Sequence, residues 1–449
     1  MDTVSKSRPR GTVRPRVLLT DTNRSSLGPR TAMALTQMGC DVFVTCPSPG
    51  HPAAKTKAVR QTLPYVGTQP LESLRRAILA VNPEAVLPLC DRSVLHLHEL
   101  HAQALMQEGR ESRIAGLIER SLGSPGSFSV VSSRYDLLQT ARAEGILVPE
   151  MSPIRNSTDL ERWCSDSPAP WVLKADGTWG GRGVRMAGTI NDAGRDWIEL
   201  AQRPNLAELA KRLVLNLDRR WILSDWKRSH SSVTAQSYIQ GRPANCSVVC
   251  WQGKVLAGVA VEVVQALGPT EPAMVVEVVE GAEMLSAAES LAERLELSGF
   301  LGFDFMIEEA TGRTYLIEMN PRITPLSSIA LGPGRDLVAT YWAKLTGLPF
   351  QERAPVTTKN RIIYFPQNSN KAAPLQEIAS VETAYYDEPQ GEPELVNALL
   401  HPWCSRSWLG RMVDFGRKVR RGQKKSSTIY VLDQPASGPR PRTHSLISR

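Results

Sequence analysis

The chain has no apolar run approaching the roughly 20 residues that cross a bilayer, so no membrane span is expected. It also has no CxxC pair. The seven cysteines (Cys40, Cys46, Cys90, Cys164, Cys246, Cys250 and Cys404) are scattered and odd in number, which argues against a disulfide framework or a zinc knuckle and for reduced core thiols. The opening residues, MDTVSKSRPRGTVRPR, lack the apolar stretch of a secretory signal, so a cytoplasmic setting is expected. The dinucleotide fingerprint GxGxxG is missing: the turn after the first apolar strand reads DTNRSSLG, which argues against NAD or FAD there. The Walker pattern GxxxxGK[ST] is missing as well, and no internal repeat is present.

What is there is ordinary in bulk. A hydrophobic fraction of 42% and a charged fraction of 22% suit a globular protein, and 449 residues exceed what one core organises, so two or three domains are expected. The net charge of +8 suggests nucleic acid until its distribution is considered. Residues 1–16 hold five basic residues against one acidic, residues 411–425 seven against one, and residues 433–449 three against one. The body between is mildly acidic, so no specific nucleic-acid partner is expected.

Along the chain, PRVLLTDTNRSSLGPRTAMALTQMGCDVFVT predicts strand, loop, helix and strand, with the first strand over Val17 to Thr20. A helix then leads into an apolar strand from Ala85 to Leu89 and a loop beginning near Asp91, the kind of strand end where open α/β sheets place ligands. SSRYDLLQTARAEGILVPE predicts a helix stopping near Gly145, after which strands dominate to about residue 320. In HLHELH, His98 and His101 share a helix face that His96 does not, and a polar helix face explains all three better than a metal site. The Trp-rich run DRRWILSDWKRSH reads as packing. SRSWLGRMVDFGRKVRRG reads as a last helix docking on the body through Trp408, Leu409, Met412, Val413 and Phe415, with an amphipathic membrane-surface helix as the alternative.

Two stretches carry chemistry. WVLKADGTWGGRGVRMAG joins a strand ending in Lys174 to a loop holding Gly177, Gly180, Gly181 and Gly183 and then a second strand. Such glycines bring backbone N–H groups against phosphate oxygens, with Lys174 as a point charge at the base. A structural hairpin tip would use the same glycines. GFLGFDFMIEEATGRTYLIEMNPRI predicts two apolar strands around a turn at Ala310, Thr311 and Gly312. With Glu309 and Arg313 closing the loop as an opposite-charge pair, Asp304 lies across from Glu318. Alternation puts Glu318 and Asn320 on one face, and Ile317 and Met319 on the other. Facing carboxylates in apolar strands repel and are costly to bury, and a divalent cation resolves the conflict; the alternative is a solvated outer face. Oxygen ligands without His or Cys suit Mg²⁺, or Mn²⁺ in its place. Arg322, just beyond Pro321, is placed to reach a phosphoryl group.

With Lys174, the glycine loop and the IEMNPR run together, the chain resembles the ATP-grasp superfamily, and within it the biotin carboxylase and carbamoyl-phosphate synthetase branch, over residues 134–348. The resemblance implies a mixed α/β and α+β fold, a Rossmann-like pre-ATP-grasp domain (15–124) before a two-lobed ATP-grasp domain (125–350). A disordered basic segment (1–14), a C-terminal region (351–425) and a disordered tail (426–449) complete the expected organisation. It further implies that ATP meets Arg134, Lys174, Gly177, Thr178, Gly180, Gly181 and Gly183, with adenine held at a hinge formed by Gln236, Ser237, Tyr238 and Ile239. Asp304, Glu318 and Asn320 fall on its metal positions, and Arg322 and Lys174 on its catalytic positions. Arg134 stands where many members have lysine, and Gln236 replaces the usual acidic residue. No biotin-attachment segment, amidotransferase nucleophile or second glycine loop is visible, so a stand-alone member is expected.

The resemblance implies an ATP- and Mg-dependent ligase that activates a carboxylate as an acyl phosphate for an amine or other nucleophile, with small molecules as partners and a homodimer as a family-level expectation. A phosphotransferase that stops after phosphoryl transfer is the first alternative, and product analysis separates the two. The second is a nucleic-acid or membrane-surface binder acting through the basic ends, whose binding deletion of residues 1–14 and 417–449 would abolish.

Overall fold

The computed structural model describes residues 14–23, 25–47, 50–176, 183–201, 232–266, 272–366, 383–401 and 430–431. Strands β1 (Arg16–Thr20), β2 (Asp41–Cys46), β3 (Val59–Pro64) and β4 (Ala85–Pro88) form a parallel sheet in the order β3-β2-β1-β4. Val17, Leu18 and Leu19 are all fully buried because this sheet is covered on both faces. Leu18 and Val86 pack with the helices Pro70–Val81, Asp91–Glu108 and Arg113–Leu122, while Val17, Leu19 and Leu87 face the opposite core. The order reverses between β1 and β4, so the carboxyl ends of these two strands flank a topological switch point. No loop begins at Asp91: it opens an 18-residue helix, its carboxylate lying in the first turn where helix N–H groups favour negative charge.

The helix Arg134–Ala143 starts at Ser133, whose side chain accepts from the Asp136 N–H, and gives way to Gly145 at a φ of 80°. A small lobe follows, with β5 (Met151–Ile154), β6 (Trp171–Ala175), β7 (Val184–Ala187) and β8 (Val233–Ser237) in the order β5-β8-β6-β7. Leu160 of the helix Ser157–Asp166 and Ala193 and Leu200 of the helix Ile190–Ala201 cover one face of it.

The largest sheet runs β13-β12-β9-β10-β11-β14-β15, with β9 (Gly241–Trp251), β10 (Lys254–Ala266), β11 (Ala273–Val279), β12 (Gly299–Glu308), β13 (Thr314–Asn320), β14 (Arg361–Tyr364) and β15 (Ala384–Asp387). Side chains alternate across β9: Val249 joins the core shared with the parallel sheet and the helix Leu337–Thr346, and Cys246, Val248 and Cys250 join the core under the helices Arg134–Ala143 and Ala282–Arg294. The region after residue 350 thus adds β14 and β15 to this sheet. The segment expected to be a disordered tail holds a two-residue strand, Tyr430–Val431, paired with Gln265 and Ala266 of β10.

At the seam between the parallel sheet's helices and β12, Ser298 N donates to the Leu122 carbonyl and Ser124 N to the Glu296 carbonyl, both at 3.1 Å. Gly123 makes this approach possible: its φ is 104°, and a Cβ there would lie 2.3 Å from the Glu296 oxygen. The described cysteines form no disulfide, and all but Cys164 are buried. The three histidines do not make the polar face expected of them. His96 and His101 are buried; His96 pairs with the Tyr65 hydroxyl, His98 stacks on Phe128, and His101 meets Glu119 at 2.7 Å. Among the described residues no helix is long and apolar enough to cross a membrane. The Trp-rich run before residue 231 and the basic segment around Trp408 lie outside the described residues.

Candidate active site

The hairpin of β12 and β13 sets Asp304 directly across from Glu318. That pairing matches the sequence expectation, although the turn does not. Glu308, not Glu309, faces Arg313 at the loop, through a 2.9 Å bond from Glu308 N to the Arg313 carbonyl. The register slips between Asp304 and Phe305, where Ile317 is the extra residue of a bulge, and the slip brings the two carboxylates opposite each other. The bulge also changes the inward set: Leu316 and Met319 enter the core, in place of the expected Ile317 and Met319. Gly302, two residues before Asp304, allows the strand to pass Thr324, whose Cγ2 a Cβ would meet at 2.4 Å.

Asp304 Oδ2 accepts from Asn320 Nδ2 at 3.0 Å, and Oδ1 accepts from Asn245 Nδ2 on β9. Burial, reinforced by the facing Glu318, pushes the Asp304 carboxyl up to about 6 against the opposing pull of these amides and Arg322. Glu318 behaves oppositely. Burial would raise its pKa, but Arg134, Lys174 and Arg322 hold it below the ordinary carboxylate value. Arg134, at the start of its helix, donates to Glu318 Oε1 at 2.8 Å and to the Ala175 carbonyl at 3.2 Å. Its own pKa is raised: burial works against the charge, and the Glu318, Asp176 and Asp91 carboxylates outweigh it.

Lys174 brings the small lobe into the same site. It lies on β6, 5% exposed, and burial followed by the Arg134 charge lowers its pKa to about 8, with Glu318 and Asp304 pulling the other way. Arg322 closes the opposite side, its Nη2 donating to Asn320 Oδ1 at 2.8 Å and its Nε to Asp91 Oδ1 at 2.9 Å. The site is therefore two facing carboxylates, one side-chain carbonyl and three cations drawn from separate elements.

Gln236 and Ser237, expected at an adenine hinge with Tyr238 and Ile239, sit at the far end of β8. Gln236 is 2% exposed and its Nε2 has no hydrogen-bond partner, an orphaned donor that a bound acceptor would satisfy. Ser237 N already donates to the Glu150 carbonyl at 2.9 Å, so that N–H is not free for a ligand edge. Tyr238 is exposed and Ile239 half-buried. Gly183 precedes β7, its carbonyl accepting from Ala175 N at 2.9 Å, whereas Gly177, Thr178, Gly180 and Gly181 lie outside the described residues. Sequence reasoning missed Asn245 and did not connect Asp91 to Arg322. The first is a polar residue inside an apolar strand, a signal that was available; the second spans 231 residues and has no local signature.

A family model described as an ATP-grasp domain matches residues 220–325, which include the hinge, both carboxylates, Asn320 and Arg322. The chain carries an ATP-grasp domain. The biotin carboxylase domain of the Hydrogenobacter thermophilus 2-oxoglutarate carboxylase, solved with MgADP, ADP and bicarbonate, aligns with a TM-score of 0.53 at 16% identity over 74% of this chain and 70% of that one. The Staphylococcus aureus N5-carboxyaminoimidazole synthetase, complexed with ADP, aligns with a TM-score of 0.52 at 13% identity, covering 75% and 79%. An L-amino acid ligase from Bacillus licheniformis aligns with a TM-score of 0.51 at 14% identity, covering 76% and 79%. At these identities the likeness is one of fold. No curated protein matches the chain by sequence.

Proposed function

We propose that the chain is an ATP- and Mg²⁺-dependent ligase that activates a small carboxylate as an acyl phosphate and passes the acyl group to an amine or another nucleophile. The observation that carries this reading is the opposition of Asp304 and Glu318, two half-buried carboxylates set directly across from each other, the first with its pKa raised. The donor set suits the ion: Asp304, Glu318 and the Asn320 carbonyl offer hard oxygens and no His or Cys. When bound there, Mg²⁺ would neutralise charge on the nucleotide phosphates. Lys174 and Arg134 supply fixed positive charge beside it, and Gln236 offers its orphaned amide to the base. The ADP and MgADP complexes among the fold's relatives agree with this use of the cleft.

In the reaction, a carboxylate oxygen attacks the γ-phosphorus, the bond from that phosphorus to the β–γ bridging oxygen breaks, and ADP leaves. The nucleophile then attacks the acyl carbon, the bond to the phosphate oxygen breaks, and the nucleophile's proton passes to solvent. Little covalent chemistry falls to the protein; Lys174 and Arg322 hold and stabilise developing negative charge. The test is Mg²⁺-dependent ADP release by the purified protein against a pool of carboxylic and amino acids, beside Glu318→Ala and Lys174→Ala. Acceptor-stimulated release that both variants lose supports the ligase reading. A phosphorylated acceptor that accumulates without a joined product would make it a phosphotransferase, and no binding of Mg·ATP would overturn both.

A further inference from the structure

Arg322 is held from two separate parts of the fold. On its own side, Nη2 donates to Asn320 Oδ1 at 2.8 Å and Nη1 to the Ile323 carbonyl at 3.3 Å. From the other side comes Asp91, which opens the helix after β4 and accepts from Arg322 Nε at 2.9 Å. The same strand end fixes the backbone next to the arginine, because Ile323 N donates to the Pro88 carbonyl at 3.2 Å. The parallel sheet therefore grips both the main chain and the side chain of this segment at the switch point between β1 and β4.

A guanidinium carries five N–H donors. The three bonds above use the Nε–H and one N–H of each terminal nitrogen, so among the described residues one N–H on each terminal nitrogen is left to meet an anion. Without the Nε bond the long side chain would pivot about Asn320, and a misplacement on the order of 1 Å is enough to slow a reaction about 100-fold. The Asp91 and Arg322 side chains are 31% and 19% exposed, so the pair is only partly screened by solvent, and the melting temperature has to be read beside catalysis. The pair's consequence lies in orientation.

Resting on the reading that this cleft handles ATP phosphates, we propose that Asp91 is a positioning residue that fixes the Arg322 guanidinium with its two remaining N–H groups toward the phosphoryl group being transferred, making the N-terminal parallel sheet part of the catalytic apparatus. Asp91 acts on the transferred group through the Arg322 guanidinium it holds, and its charge also favours the charged form of Arg134.

The experiment compares wild type with Asp91→Asn, Asp91→Glu, Arg322→Lys and the Asp91→Asn/Arg322→Lys double variant. Affinities for MgADP and for MgADP with fluoroaluminate, a mimic of the transferring phosphoryl group, are read by calorimetry, with single-turnover ATP hydrolysis and melting temperature alongside. Asp91→Asn is expected to weaken the fluoroaluminate complex and slow hydrolysis roughly 10- to 100-fold while leaving MgADP affinity unchanged. Asp91→Glu restores part of the loss, and Asp91→Asn costs nothing further once Arg322 is lysine. A lowered melting temperature with an unchanged preference for fluoroaluminate, or losses that multiply in the double variant, would overturn the proposal. If wild type fails to bind MgADP, the nucleotide-site reading itself falls, and the proposal with it.

Discussion

Two aspartates in this molecule, the buried Asp336 and the half-buried Asp304, are treated in opposite ways. Asp336, at the start of the helix Leu337–Thr346, has a fully buried side chain and is saturated: Ala339 N caps it at 3.1 Å, Arg353 N donates at 3.1 Å, and the Arg353 guanidinium grips both oxygens at 2.6 to 3.1 Å. Asp304 receives two neutral side-chain amides and faces another carboxylate. The first arrangement is what a fold does to keep a charge inside. The second leaves the Asp304 carboxyl with neutral partners and its pKa raised, although Arg322 pulls against the rise, and such perturbed electrostatics cluster at sites of function.

The contrast can be broken from either side. Asp336→Ala strands the Arg353 charge and should lower unfolding free energy by about 3–5 kcal/mol, measured by urea denaturation, while the nucleotide cleft of the folded fraction keeps its affinity. Glu318→Gln should act mainly on catalysis, cutting Mg²⁺-dependent turnover roughly 10²- to 10³-fold; the glutamine keeps an acceptor for Arg134 Nη2, so the melting temperature should fall only slightly. If Glu318→Gln unfolds the protein, the carboxylates are structural and the contrast disappears.

Acidity sharpens the comparison next. Burial, with the facing Glu318, raises the Asp304 carboxyl from an ordinary 3.8 to about 6. Between these values the folded state binds the proton more tightly than the unfolded one, so this residue's contribution to stability falls as pH rises across the window. Asp304→Asn should flatten that slope, and the Mg²⁺ affinity of wild type should weaken as pH drops through about 6. On the basic side, Lys174 is lowered to about 8, so nucleotide affinity should decline as pH rises past that value; Lys174→Arg should remove the decline. Titration calorimetry across pH reads both. The smallest effect is at Gln236: replacing the orphaned amide in Gln236→Leu should change stability by no more than about 1 kcal/mol while weakening nucleotide binding.

How far the sequence reached depends on the range of the interaction. Strand periodicity and the run around Asp304 and Glu318 placed two carboxylates face to face, because both strands and their turn are local. The turn itself was one residue off, and the bulge at Ile317, invisible to alternation, absorbed the error. The histidines of the helix Asp91–Glu108 were misread because burial by Tyr65, Phe128 and Glu119 comes from other elements. Asp91 stood out only as a strand-end residue, and its bond to Arg322 joins segments brought together by tertiary packing of the parallel sheet on β9 and β10 and by the Ile323 to Pro88 backbone bond.

The most direct test of the central claim is a calorimetric titration of ADP into wild type and Asp304→Asn, each with and without Mg²⁺ at pH 7. Binding by wild type that strengthens with Mg²⁺, and a variant that binds ADP but has lost the Mg²⁺ enhancement, is the predicted result. Binding that is indifferent to Mg²⁺ in wild type, or equally enhanced in the variant, would contradict the assignment of the facing carboxylates to a cation.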